Sequence, residues 1–332
     1  ATNRGEKTTA GSKILENFES PYNATVVERI IQNGGIVVGK TSLDEFGMGS
    51  TTSHCGLMEP TVNPWTELQP QGRETDNFLS SGGSSGGSAV AVASYCSYGA
   101  LGSDTGGSVR QPAAWNGIVG LKPSYGTLSR FGLIAYGSSL DCPGIFTRNI
   151  ADASLLLDHL SGPDLNDNCT LHRPKQNTFD HIGRIVKENQ TKFSTSSRKL
   201  RIGLPKEYWV NEMSSEISDC WRNVASIMSD AGAEIVECSL PHTQFALPVY
   251  LIIANAEASS NLARYDGVRY GRFNSRGNIT HFRQDIELKM LPISTNLFKI
   301  LARRPWGKKY RGESLWEPLY VVPMNLSFCD PN

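Results

Sequence analysis

LSSGGSSGGSAVAVASYCSYGALGSDTGGSVRQPAAWNGIVGLK, residues 79–122, decides both the fold and the chemistry of this chain. Two glycine-serine clusters flank a small-residue helix predicted over Ser88 to Tyr95. The first is Gly82-Gly83-Ser84-Ser85-Gly86-Gly87, and the second is Gly102-Ser103-Asp104-Thr105-Gly106-Gly107-Ser108. A short helix, Val109 to Trp115, is expected to follow Ser108, and residues 115–122 read as a strand region. Two adjacent glycines before a serine let the backbone approach a ligand closely and turn N–H groups toward one point. That arrangement can form an oxyanion hole for acyl transfer, with the positive end of the helix favouring an alkoxide on Ser108. Either cluster alone also reads as a tight turn. The pairing of two about one helix is what points to a site.

Outward from this stretch, helix-like and strand-like segments alternate. Residues 23–33 (NATVVERIIQN) place Val26, Val27, Ile30 and Ile31 on one helical face, and Gly34-Gly35 stops the helix. Ile36-Val37-Val38 reads as a short buried strand, Ala151 to Leu160 as a helix and Leu200 to Leu204 as a strand. Residues 215–231 predict an amphipathic helix with Ile217, Trp221, Val224, Ile227 and Met228 inward. Glu234 to Cys238 predicts a strand and residues 246–265 a further helix. Residues 163–198 are the most polar stretch and read as a surface insertion or long loop. The alternation implies a layered α/β fold with a mostly buried sheet.

Composition narrows the function. Hydrophobic residues make up 39% of 332 positions and charged residues 19%, enough apolar material for a sizeable core. Lys+Arg and Asp+Glu are equal at 32, so a general phosphate-binding surface is not expected, although a local basic patch could still touch RNA. No apolar run is long enough to span a membrane, and Ala1 to Lys7 have no signal-peptide core. The seven cysteines are widely spaced without a C-x-x-C pair, which reads as reduced thiols in an intracellular or organellar protein.

Two motifs fail on context. Gly34 to Thr41 fits G-x-x-x-x-G-K-[ST], but a helix precedes it and its variable positions are themselves strand-like, the reverse of a phosphate loop. It reads as a helix stop, a strand and a solvated lysine. G-x-S-x-G occurs twice, centred on Ser84 or Ser85, yet residues 72–81 (GRETDNFLSS) do not supply the strand that a nucleophile elbow needs. No histidine among the six has a recognisable aspartate partner, which leaves a second serine bridging to a neutral lysine as the other way to activate Ser108.

GGSSGGSAVAVAS, then LGSDTGGSVRQPAAWNGIVGLKPSYGTLSRFGL, then SSLDCPGIFTRNIADASLLLDHLSG together resemble the amidase signature family over residues 82–162. TTAGSKILENF (8–18), ATVVERI (24–30), GKTSLDEFGMGS (39–50), LPKEY (204–208) and ANAEASSNLARYDGVRYG (254–271) extend the resemblance toward its branch that works within tRNA-dependent amidotransferases. The resemblance implies an α/β amidase-signature fold, a central mixed β-sheet covered by helices on both faces, with residues 1–332 as a single amidase domain. It implies a Ser–cis-Ser–Lys triad with Ser108 as the acylated nucleophile and Ser84 as the bridging serine on a cis peptide after Gly83. Thr105, Gly106, Gly107 and Ser108 would offer oxyanion N–H groups. Met48, Gly49 and Ser50 would line the substrate pocket, and Tyr270 would stand on the substrate side. The implied substrate is glutamine, whose ammonia passes to an ATP- and Mg-using partner that handles Glu-tRNA(Gln); a small third component completes the complex. No metal or organic cofactor is implied for this chain.

The sequence also departs from that pattern. The family's lysine stands in a Lys-Asp-Asn context upstream of the position of Thr8-Thr9, ahead of Ala1; Lys7, Lys13 and Lys40 lack that context. An arginine expected to hold glutamine has no counterpart at Glu287-Leu288-Lys289-Met290, and Val322-Pro323-Met324-Asn325-Leu326 is preceded by Glu317-Pro318 where an aspartate is expected. Polar segments at 65–80 and 163–198 resemble the mitochondrial, fungal-like form, which implies a matrix location, the bacterial cytoplasm being the counterpart for a non-organellar chain. Three readings stay open: a glutamine-hydrolysing component of an amidotransferase, a stand-alone amidase of another small amide, and a catalytically silent scaffold.

Overall fold

In the sequence ATVVERI the valines fall one turn from the isoleucines, and the segment folds as helix α1, Thr25–Gln32, with Val26 and Val27 buried. Gly34 ends it at φ 83°. A computed structural model describes residues 1–53, 56–68, 78–172, 177–188 and 200–268. These fall into two compact units, one built from residues 1–176 and the chain from 253 on, the other from residues 177–252.

The first unit centres on a three-stranded antiparallel sheet of order β1-β3-β2, with β1 Gly99–Asp104, β2 Val119–Leu121 and β3 Cys142–Thr147. Register runs from Gly99 opposite Thr147 to Asp104 opposite Cys142, and from Val119 opposite Thr147 to Leu121 opposite Ile145. Side chains alternate across a strand, so neighbours in β3 serve opposite layers. Ile145 joins Leu101 and Leu121 in a cluster with Val26, Val27 and Leu128, closed by Leu156, Leu157 and Leu160 of helix α4, Ile150–Leu160. Phe146 points the other way, among Ala89 and Val92 of helix α2, Gly86–Ala93, and Val109 and Ala113 beside helix α3, Arg110–Trp115. Helices thus cover both faces, as expected. Removing the buried Phe146 ring would cost about 3–5 kcal/mol.

The second unit holds helix α5, Thr178–Glu188, a parallel pair of strands, β4 Arg201–Pro205 and β5 Glu234–Cys238, and helix α6, Ser215–Asp230, between them. Ser214 caps α6 by accepting the Ile217 N–H at 3.3 Å. Leu204, Pro205, Tyr208, Trp209, Met213 and Trp221 enclose a small apolar cavity. Helix α7, Thr243–Leu262, begins in this unit and ends in the first.

Three expectations are corrected. Ile36-Val37-Val38 forms no strand: Val37 packs against the cluster of Val26 and Ile145, but Ile36 and Val38 are 85% and 77% exposed, because two flanking glycines and a three-residue length give it no ladder. Trp221 is partly covered by the cavity cluster, but Ile217, Val224, Ile227 and Met228 are exposed, since two strands are too narrow to cover that helix face. Of the two readings of 163–198, the long loop gives way within the described residues and the surface insertion stays open. The stretch contains α5, and its start is tied down by Asp164, which accepts from Ser129 Oγ at 2.6 Å, and by Asp167, which accepts the Arg130 N–H at 2.8 Å. Cys96, Cys142, Cys169, Cys220 and Cys238 are free thiols. No helix among the described residues is long and apolar enough to cross a membrane.

Candidate active site

Strand β1 delivers Asp104, fully buried, to the base of the turn that carries Ser108. Its carboxylate accepts the N–H groups of Gly107 at 2.8 Å, Val109 at 3.1 Å and Arg110 at 3.3 Å. It also pairs with Arg110 through Nε at 3.0 Å and Nη2 at 2.9 Å. Gly107 sits at φ 136°, a conformation that favours glycine. One carboxylate therefore folds residues 104–110 around itself. Burial alone would raise the Asp104 pKa, but hydrogen bonding and charge from Arg110, with the N–H groups of Val109 and Arg110, hold it below the usual carboxylate range.

The Ser84 turn is built from the other side. The Gly83–Ser84 peptide is cis, and Ser84 and Ser108 are both buried. Thr52 Oγ1 donates to Gly82 O at 2.8 Å and accepts the Gly86 N–H at 2.9 Å. Asp44 N–H donates to Ser84 O at 3.1 Å, while Asp44 Oδ2 accepts the Thr52 N–H at 3.0 Å. Gly83 N–H donates to Gln111 Oε1 at 2.9 Å. A Cβ on Gly83 would lie 2.3 Å from Asp44 Oδ2 and 2.6 Å from Thr51 N, so only glycine fits.

The two turns meet directly. Ser85 N–H donates to Ser108 O at 3.2 Å, and Ser85 Oγ donates to Ser103 O at 3.3 Å. The segment after Asp44 reaches the same place: a Cβ on Gly47 would be 3.7 Å from Ser84 Oγ. Gly49 packs on Asp44, Ser50 O accepts from Gln111 Nε2 at 3.1 Å, and Met48 packs with Phe46, Leu262 and Tyr265.

The structure thus brings together Ser84, Ser108, the 105–107 turn and the segment Met48–Ser50. Gly107 differs from expectation in one respect: its N–H is taken by Asp104, so it shapes the turn. Tyr270 lies outside the described residues, as do Glu287 to Met290 and Glu317 to Leu326. Lys40 is not simply solvated; its Nζ donates to Lys7 O at 3.0 Å and Thr8 Oγ1 at 2.7 Å. Reading the sequence missed the residues that hold the turns, namely Asp44, Thr52, Asp104 and Gln111. Only Asp104 carried a signal, as the one carboxylate inside a glycine-serine cluster.

The amidase family model matches residues 2–310, and the chain belongs to that family. Within it the relatives carry a more particular name, that of the A-type component of glutamyl-tRNA(Gln) amidotransferase. The protein of that name from Azorhizobium caulinodans is 49% identical over 268 residues, 80% of this chain and 51% of the relative. That from Halothermothrix orenii is 48% identical over 276 residues, 83% of this chain and 53% of the relative. The chain spans about half the length of the curated relatives it matches. A crystal structure of the same amidotransferase component from Thermotoga maritima is similar with a TM-score of 0.69 at 35% identity, covering 90% of this chain and 59% of that one. A peptide amidase bound to the inhibitor chymostatin is similar with a TM-score of 0.68 at 27% identity, covering 87% of this chain and 56% of that one.

Proposed function

We propose that this chain is part of the single amidase domain of a Glu-tRNA(Gln) amidotransferase and hydrolyses glutamine to supply ammonia. The observation that carries the chemistry is the direct link between the two serine turns through Ser85 N–H and Ser108 O. The names of the relatives support the substrate.

In this reading a neutral lysine from ahead of Ala1 takes a proton from Ser84, which takes one from Ser108. Ser108 Oγ attacks the side-chain amide carbon of glutamine. The oxyanion is held by backbone N–H groups of the 105–108 turn, Gly107 acting through the turn's shape, and one such donor is typically worth about 3 kcal/mol. The C–N bond then breaks, Ser84 returns the proton, and ammonia leaves. Water hydrolyses the acyl ester to glutamate and restores Ser108. Met48, Gly49 and Ser50, with Tyr270, line the pocket.

The partners are the B-type component of the amidotransferase, which uses ATP and Mg and holds Glu-tRNA(Gln), and a small component of the C or fungal F type. The polar segments 65–80 and 163–198 support a mitochondrial matrix protein. The likeness to a peptide amidase favours one second reading, a stand-alone amidase.

Ammonia release by the full-length protein, by itself and with its partners, tests both. Partner-dependent glutaminase activity supports the amidotransferase, and partner-free turnover of another amide supports the second reading. Ser108→Ala should lower hydrolysis at least about a thousandfold. Unchanged ammonia release would overturn the nucleophile assignment.

A further inference from the structure

Gln111 sits one helical turn beyond Ser108 and is 4% exposed. Its backbone N–H donates to Gly107 O at 2.8 Å. Its side chain uses both ends: Oε1 accepts the Gly83 N–H at 2.9 Å and Nε2 donates to Ser50 O at 3.1 Å. One residue therefore ties the nucleophile turn, the peptide that orients Ser84, and the segment Met48–Ser50. The site's other tethers join fewer parts: Asp44 and Thr52 tie the Ser84 turn to the segment ending at Thr52 without reaching the Ser108 turn, and Asp104 holds the Ser108 turn alone.

We propose that Gln111 is a positioning residue that fixes the pocket segment Met48–Ser50 in register with the Ser84–Ser108 pair. The inference rests on the catalytic reading above. An amide is the fitting group because one end must accept from the buried Gly83 N–H and the other donate to the half-buried Ser50 carbonyl. An ionised carboxylate satisfies Gly83 N–H but sets a second acceptor against Ser50 O. A neutral carboxylic acid has both an accepting C=O and a donating O–H, so it replaces the amide at both ends.

That asymmetry supplies the test. Gln111→Glu and Gln111→Met are made in the full-length protein, assembled with its partners. Glutamine hydrolysis is measured between about pH 5.5 and 8.5, each value taken as a ratio to the unsubstituted protein at the same pH. Gln111→Met loses both links and should lower kcat/KM about tenfold or more at every pH. Gln111→Glu should show KM raised about tenfold at the alkaline end, with kcat changed less, and KM returning toward the unsubstituted value as pH falls and the carboxylate takes up its proton.

A Gln111→Glu defect of equal size at every pH would mark a general structural role and overturn the proposal, as would unchanged kcat and KM in the folded variants. If Gln111→Met does not assemble, the pH response of Gln111→Glu decides. Ser108→Ala run in parallel separates the layers. If it still releases ammonia, the catalytic reading fails; if it is inactive while the Gln111 variants behave like the unsubstituted protein, only the positioning role fails.

Discussion

Ser85 donates its backbone N–H to the carbonyl oxygen of Ser108 at 3.2 Å, so the residue next to one candidate catalytic serine holds the backbone of the other. The two turns come from separate ends of α2 and β1, and this bond makes them one unit. Positions that crowd either turn should therefore disturb both serines together.

Gly83→Ala is the sharpest such change. The new Cβ would meet Asp44 Oδ2 at 2.3 Å and Thr51 N at 2.6 Å, and neither is the loose end of a flexible side chain. The turn must move, at a cost of about 1–3 kcal/mol for overpacking. Under the proposed glutamine-hydrolysing role, activity should fall at least about a hundredfold, since small misplacements of a catalytic group are this costly. A folded Gly83→Ala protein with full activity would show that this turn does not set the geometry.

Asp104→Asn should act through the other turn. The carboxylate serves the N–H groups of Gly107, Val109 and Arg110 and both ends of the Arg110 guanidinium. An amide brings one acceptor and an unwanted donor, and leaves a mostly buried arginine uncompensated. The expected loss is about 3–5 kcal/mol in denaturant unfolding. The pH dependence has a definite sign. Because the folded-state pKa is lowered, the stability that Asp104 contributes is fully present above the ordinary carboxylate pKa and drains as pH falls through its folded value. An Asp104→Asn protein as stable as its parent at neutral pH would remove this role.

Much of this site was legible because chemistry and backbone demand coincide in it. Glycines that permit close approach lie beside the serines, and the pairing of two such clusters exposed the site before its geometry was known. The supporting residues were hidden for a physical reason. Thr52 and Gln111 act by hydrogen bonds across 28 to 61 positions of sequence, and no local pattern reports such a partner. Strand β1 was equally hidden. GALGSD puts glycine where period-2 alternation would place large side chains, because a Cβ on Gly99 or Gly102 would press within 2.8 Å of Leu156 or of Phe146. Helix α6 was readable as a helix from its spacing. Which face is covered depends on sheet width, which spacing does not encode.

Asp141 should give a pH response opposite to that of Asp104. Burial pushes its pKa up to about 6, against the N–H groups of Gly137 and Tyr136 and the Arg130 charge, with Glu257 adding to the rise. The folded state then keeps a proton that the unfolded chain releases between about pH 4 and 6. Unfolding free energy from this group falls as pH rises through that window, by up to about 3 kcal/mol, and is flat above it. Asp141→Asn removes the titration, so the difference between parent and variant melting temperatures should change across that window alone. A difference independent of pH would show that Asp141 titrates alike in the folded and unfolded states, without the rise that burial gives it.

Arg29→Met tests how α1 and α4 are joined within the first unit. Arg29 Nη1 donates to Leu160 O at 2.6 Å and Gly162 O at 3.1 Å, and Nη2 donates to Pro163 O at 2.8 Å. Leu160 ends α4 and the other two carbonyls lie just beyond it, where the last helix turn has no intrahelical donors and the dipole is negative. A guanidinium suits them because it offers several donors in one plane, whereas an ammonium reaches fewer of these acceptors. Methionine keeps an unbranched apolar stem but loses all three bonds. Charged hydrogen bonds are worth about 1.5–3 kcal/mol each, and water can reach part of this helix end, so a net loss of about 2–4 kcal/mol is expected. Arg29→Lys should fall between the two. Amide exchange of the last turn of α4 should quicken in both variants, more in the methionine one, while the Ser84–Ser108 turns stay protected. Equal stability of the methionine and lysine proteins would mean that burial of the stem, and not the capping of α4, is what Arg29 provides.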